Sequence, residues 1–449
     1  MVTDSVAAVE PATPAAGMSY AARLALTVLL LSLYVLGQRV PMPFVDTEAY
    51  LSTEIPVSTS IMTLGIAPLI FGFLLVELFA VITSPGRRLR AAGSAGRAKL
   101  NRAALRVSLG MCALQATGLA MTMGSLTSPG GAPIVTIPVA AFAVLLVVTL
   151  AAVTAGLFLC GNFLSEYGIG NGFSLLILTE IGLALWGEWS FRFTEGAGAF
   201  VAGDPMQGVG FLLAGVLAAL LIRHTQTAEA TQTPPFPQGA VPVVWAGALV
   251  NRSLFLRIFS DDPSTLPWFA GPLIVLVAVP VFSWFTFHLF SSYQRLKANT
   301  SEPEAVLDGL TETLSRRFLV STALLTVGAA ALTAWSWAQP DTFLASVLFL
   351  DLVLIAAIVF DLRDQFLFLR RNGATARLVQ LDNVHFSYRL IALLEEKGID
   401  ALARAHNHRG LLFFFGPLIK IAVLVPKDQL DEAQAVLAEL ELAREIKAF

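Results

Sequence analysis

The sequence predicts an all-α polytopic membrane protein of about ten transmembrane helices, followed by a small α+β domain. Three observations predict it. Of 449 residues, 56% are hydrophobic and only 14% charged, whereas a soluble globular domain has about 45–50% apolar and about 25% charged residues. Long apolar runs recur along most of the chain. After Arg371 the composition turns to an ordinary soluble mixture.

A helix needs about 20 apolar residues to cross a bilayer. On that basis the spans are Leu24–Gly37, Ile61–Ile82, Val107–Met123, Ile134–Cys160, Phe173–Trp186, Val209–Ile222, Ala240–Phe259, Phe269–Phe290, Phe318–Trp337 and Phe343–Phe360. Residues 1–20, rich in Ala and Pro with acidic Asp4 and Glu10, read as a disordered leader. They lack the basic start of a cleaved signal peptide. Between the second and third spans stand Arg87, Arg88, Arg90, Arg97, Lys99, Arg102 and Arg106. Cytoplasmic loops retain such residues, so this basic loop faces the cytoplasm. With an even number of spans both termini face the same way, which agrees with Arg363, Arg370, Arg371 and Arg377 after the tenth.

The membrane part runs over 21–371 and the soluble domain over 376–449. In the latter, Ala376–Leu381, Ile399–Arg404 and Lys420–Val425 read as strands, with helices at Ser387–Lys397 and Gln429–Leu442. The order is βαββα.

Several function classes are excluded. A net charge of -3 gives no overall basic field for nucleic acid. Cys112 and Cys160 lie in apolar runs as packing residues, and His406 and His408 lack a third ligand, so they read as solvated loop residues and not a metal site. There is no catalytic triad, Walker-type loop or cofactor site, and the chain is not expected to be an enzyme. The glycines of YGIGNGFSLLIL, Tyr167–Leu178, suggest a phosphate-binding loop only superficially. A dinucleotide fingerprint follows a strand and opens a helix in a βαβ unit, and here both flanks are membrane spans. A tight turn and close helix packing account for these glycines.

LSEYGIGNGFSLLIL resembles the turn into the fifth helix of SecY, the protein-conducting channel of the Sec translocon. Further stretches resemble that family in the expected order: GQRVPMPFVD (Gly37–Asp46), TSIMTLGIAPLIFGFLLVELF (Thr59–Phe79), GSAGRAKLNRAALRVSLGMCALQATG (Gly93–Gly118), QGAVPVVWAGAL (Gln238–Leu249) and FDLRDQF (Phe360–Phe366). The resemblance covers roughly residues 20 to 370. It implies two pseudo-symmetric five-helix halves around an hourglass, closed at the waist by aliphatic side chains. Such a constriction dewets and so blocks ions and water.

By motif the pore ring is Ile66, Ile70, Ile177, Ile181, Val244 and Leu354, and Glu77 and Gln115 fall at polar positions of the lateral gate. The resemblance implies SecE-like and SecG-like subunits, a translocating polypeptide, lipid, and the bacterial cytoplasmic (inner) membrane. It implies no cofactor.

The chain departs from the family in four ways. Only Asp46–Ser60 remains where a plug helix is expected. The loop between the sixth and seventh spans shrinks to about HTQTAEATQTPPFPQG, and the next cytoplasmic loop sets Arg295, Lys297, Arg316 and Arg317 against Glu302, Glu304, Asp308 and Glu312. These loops are poor docks for ribosomal RNA or a SecA-type motor, which points to a specialised paralogue. Glu180 adjoins the ring, either making the pore cation-attracting or pH-sensitive, or satisfied as a protonated carboxyl within the bundle. Finally, the C-terminal domain resembles a small bacterial βαββα domain assigned to signal transduction, through LIALLEEKGIDA and VLVPKDQLDEAQAVLAEL. Its GLLFFFGPL stretch, Gly410–Leu418, fits domain core or contact with the bundle.

Two alternatives stand beside the channel. One is a membrane-anchored sensor or scaffold on a degenerate SecY-like fold. The other is a small-solute transporter, for which Glu77, Glu180 and Asp351 are the midplane polar candidates.

Overall fold

The computed structural model describes residues 20–52, 59–91, 93–194, 214–220, 239, 241–249, 269–290, 304–338, 349–381, 384–412 and 419–447. The leader at 1–19, half of the sixth span, most of the seventh, the loop at 221–238, the basic residues Arg295 and Lys297, and residues 413–418 lie outside the described residues. Two contact units emerge, Ala15–Glu180 and Ile181–Phe449 with Met1–Pro14.

The first unit holds α1 (Tyr20–Gly37), α2 (Thr47–Leu51), α3 (Ala67–Ile82), α4 (Ser84–Ala91), α5 (Gly93–Ser125), α6 (Val139–Tyr167) and the first part of α7 (Gly172–Thr194). Helix α3 packs on α5, and α5 on α6. Their seam is filled by Cys112, Ala116, Ala120, Phe142, Leu146 and Leu150, with Met42 and Tyr50 from the segment after α1. That segment is tied down by backbone bonds, Asp46 N–H to Ile134 O at 2.9 Å and Thr136 N–H to Phe44 O at 3.0 Å. Asp46 also caps the five-residue α2 by accepting from Ala49 N–H. Cys112 is a packing residue, with its sulfur accepting from Thr154 Oγ1.

Some helix ends coincide with the ends of the apolar runs, as at Gly37, Ile82 and Phe290, and others do not. Helix α3 starts at Ala67, not Ile61, because Pro68 suits a first turn and Gly65 before it is left-handed, φ 48°. The basic loop is itself helical. Arg87, Arg88 and Arg90 lie on α4, and Arg97, Lys99, Arg102 and Arg106 on α5, since Ala, Arg and Lys are good helix formers and no proline interrupts them. At 33 residues, α5 is about 50 Å long and outreaches the hydrocarbon layer.

The second unit holds α8 (Val241–Leu249), α9 (Ala270–Phe290), α10 (Glu304–Ala338) and α11 (Phe349–Asn372), each packing on the next. Across the described residues five helices are long and apolar enough to span a membrane: Tyr20–Gly37, Ala98–Ser125, Val139–Tyr167, Ala270–His288 and Ser315–Trp337. The chain is a multi-pass membrane protein.

After α11 come β1 (Thr375–Leu381), α12 (Val384–Glu396), β2 (Leu402–Arg404), α13 (His406–Leu411), β3 (Ile421–Pro426) and α14 (Leu430–Lys447). The sheet is antiparallel in the order β1-β3-β2. The central strand IAVLVP is buried at every position. Its Val423 and Val425 pack with Leu378, Leu390, Leu394, Ile399, Ala433 and Leu437. The short helix α13 between β2 and β3 is additional to the βαββα order expected from sequence.

Candidate functional site: helices α3 and α7 around Ile66

The turn before α7 sets the height of Ile177. Gly170 is left-handed, φ 70°. Asn171 caps the new helix, with Oδ1 accepting from Ser174 N–H at 3.1 Å and from Ser174 Oγ at 3.2 Å. A Cβ at Gly172 would strike the Gly161 carbonyl oxygen and stand 2.5 Å from Leu164 Cβ. The glycines therefore serve a turn and a close crossing. Ile169 N–H, buried in the same turn, donates to Thr27 Oγ1 of α1 at 3.0 Å.

One helical turn beyond Ile177, Glu180 meets the start of α3. The N-cap Ile66 has no capping oxygen of its own. Glu180 Oε2 accepts from Ile66 N–H at 3.4 Å, a long bond. The other oxygen, Oε1, lies against Gly65, where any side chain would collide with it. Glu180 is thus committed to the α3 start and does not project as a free charge.

Ile66 is 2% exposed and Ile177 7%, while Ile70 is half-buried. In the other unit Leu354 is buried, Ile181 half-buried and Val244 exposed. Glu77 is buried and engaged. Gln115 is half-buried, and its Oε1 is shielded from solvent with no hydrogen-bond partner among the described residues.

Arg87 is exposed and caps α3, its guanidinium donating to Ile82 O at 2.8 Å and Val81 O at 3.2 Å. Arg88, Lys99 and Arg102 remain exposed. His408 corrects the sequence reading. Expected in solvent, it is 2% exposed, with Nδ1 donating to Asp361. Sequence reasoning missed Asp361 because its partners are more than forty residues away. Among the described residues no group of three or more His, Cys, Asp or Glu is placed to hold a metal.

Residues 60–234 match the SecY family model, a stretch that includes the Ile66–Glu180 contact and the glycine turn. The chain is also 34% identical over 122 residues to the protein translocase subunit SecY of Rickettsia bellii (strain RML369-C). It is 24% identical over 315 residues to that of Rickettsia conorii (strain ATCC VR-613 / Malish 7). Over these stretches the chain is similar to SecY. The first alignment covers 27% of this chain and 28% of the relative. The second covers 60% and 72%. Among solved structures, a SecY studied for how its plug domain stabilises the closed state aligns over 79% of this chain and 93% of its own, with a TM-score of 0.49 at 14% identity. The likeness to SecY rests on these sequence matches, and the stretch matched by the family model lies mostly in the first unit.

Proposed function

We propose that this chain is a protein-conducting channel subunit that moves polypeptides across or into the bacterial inner membrane, with Ile66, Ile70, Ile177, Ile181, Val244 and Leu354 lining its waist. The observation that carries the reading is the Ile66–Glu180 contact, which fastens the second span to the fifth at the level of the proposed ring, inside the stretch that matches the family. Ile66 and Ile177 are buried and apolar, which is the side-chain character that a dewetting gate needs.

The gate to lipid runs past Glu77 and Gln115. The shielded, unpaired Oε1 of Gln115 is an acceptor waiting for a donor. We further propose ten spans with both termini cytoplasmic, a channel domain at 21–371 and a cytoplasmic α+β domain at 376–449. SecE-like and SecG-like partners complete the assembly. The trimmed loops argue for a specialised paralogue that docks ribosomes and motors poorly.

A stalled secretory chain tests this. A photocrosslinker at Ile66 or Ile177 is expected to capture the nascent chain, whereas one at lipid-facing Leu114, 67% exposed, is not. Equal capture at both kinds of position removes the channel assignment.

A further inference from the structure

Helix α13 cannot cap itself. Its N-cap residue, Ala405, sits in the left-handed region at φ 69° and offers only a methyl group. The missing acceptor comes from α11. Asp361 Oδ1 accepts from Asn407 N–H at 3.0 Å and Asn407 Nδ2 at 2.8 Å, and Oδ2 from His408 N–H at 3.2 Å and His408 Nδ1. Every lone-pair direction of the carboxylate is used. The cluster is dry, with Asp361 8%, Asn407 4% and His408 2% exposed.

On α11 the same buried face runs through Leu354, Ala357, Ile358, Asp361, Gln365 and Phe368. Seven residues separate Leu354 from Asp361, a rise of about 10 Å along the helix. Helix α11 also touches β2 and α13. The C-terminal body is therefore not merely tethered through Gly373.

We propose that the C-terminal α+β body is a built-in regulatory arm, clamped to the tenth span by Asp361, so that its displacement shifts Leu354 at the far end of the same helix face. A buried carboxylate stripped of its partners is strongly disfavoured. The clamp accordingly holds as a unit or opens far enough for Asp361 to reach water, which makes the arm two-state. The gating half rests on the channel reading; the docking half does not.

The test uses the purified full chain in nanodiscs. Asp361→Ala, and separately Asn407→Ala with His408→Ala, which leave α11 untouched, are each expected to raise the rate of tryptic cleavage at Arg370 and Arg371 at least about tenfold. They are also expected to speed amide exchange across residues 406–411. The same variants are expected to change resting conductance in planar bilayers. Unaltered cleavage and exchange in both variants overturns the clamp. Released docking with unaltered current overturns transmission to the tenth span. A wild-type chain that passes no current even with a signal peptide added, yet shows protected Arg370 and Arg371, indicts the channel reading and leaves the docking half standing.

Discussion

The crossing of α3 and α5 makes a two-sided prediction. A Cβ built on Gly72 would stand 2.5 Å from Ser108 N and 2.6 Å from Ser108 Cα, and nearer still to its Oγ. Non-bonded carbons prefer about 3.5–4.0 Å, so the helices must part locally by roughly 1 Å, enough to forfeit a quarter to a half of each contact's attraction. Overpacking of this kind costs about 1–3 kcal/mol. The gain in helix propensity of Ala over Gly, about 1 kcal/mol, offsets only part of it. Gly110, two residues beyond Ser108 on α5, has nothing within 4 Å of an added Cβ, so there the propensity gain stands alone. With about 2–4 °C per kcal/mol for a unit of this size, Gly72→Ala should lower the melting temperature by several degrees and Gly110→Ala should raise or preserve it. Intrinsic fluorescence during heating of the detergent-solubilised protein reads both. A Gly72→Ala protein as stable as wild type, or two variants shifting alike, would refute the claim that α3 and α5 touch backbone to backbone.

Other expectations follow from single contacts. Gly170→Ala forces an L-residue into the left-handed region at a cost of about 1–2 kcal/mol, and should lower the same melting temperature more than Gly182→Ala, whose added Cβ meets nothing. Glu180→Gln retains an acceptor for Ile66 N–H and should leave resting conductance near wild type, whereas Glu180→Ala frees the start of α3 and should raise it in planar bilayers; the reverse order would show that charge, not the bond, matters. Replacing Phe142, fully buried in the α5–α6 seam, with Ala should destabilise by about 3–5 kcal/mol, seen as a loss of folded monodisperse protein on size exclusion.

What the sequence made legible is what hydropathy encodes. Apolar runs located the helices that carry Ile177 and Leu354 and the one that Ile66 precedes, and the change after Arg371 marked the C-terminal sheet. Boundaries set by local chemistry were harder. The run from Ile61 looked helical throughout, but the left-handed Gly65 and Pro68 put the helix start at Ala67. The arginines after Ile82 read as a loop because charge outweighed propensity, although Ala-rich sequence without an internal proline favours helix.

Contacts between distant residues were invisible. Nothing near Glu180 announces Ile66, 114 positions earlier. Nothing near His408 announces Asp361, and a polar stretch bearing two histidines offers no sign that His408 is buried against α11.

The hydroxyl of Thr27 has an implication for biogenesis. Within α1 it already donates to Arg23 O at 2.8 Å, so the helix can enter the bilayer with that group satisfied. Its second role, receiving Ile169 N–H, awaits a partner 142 residues downstream. At a synthesis rate of about 5–20 residues per second, that is an interval on the order of 7–28 s during which the first helix must remain in lipid unaided before its distant mate arrives.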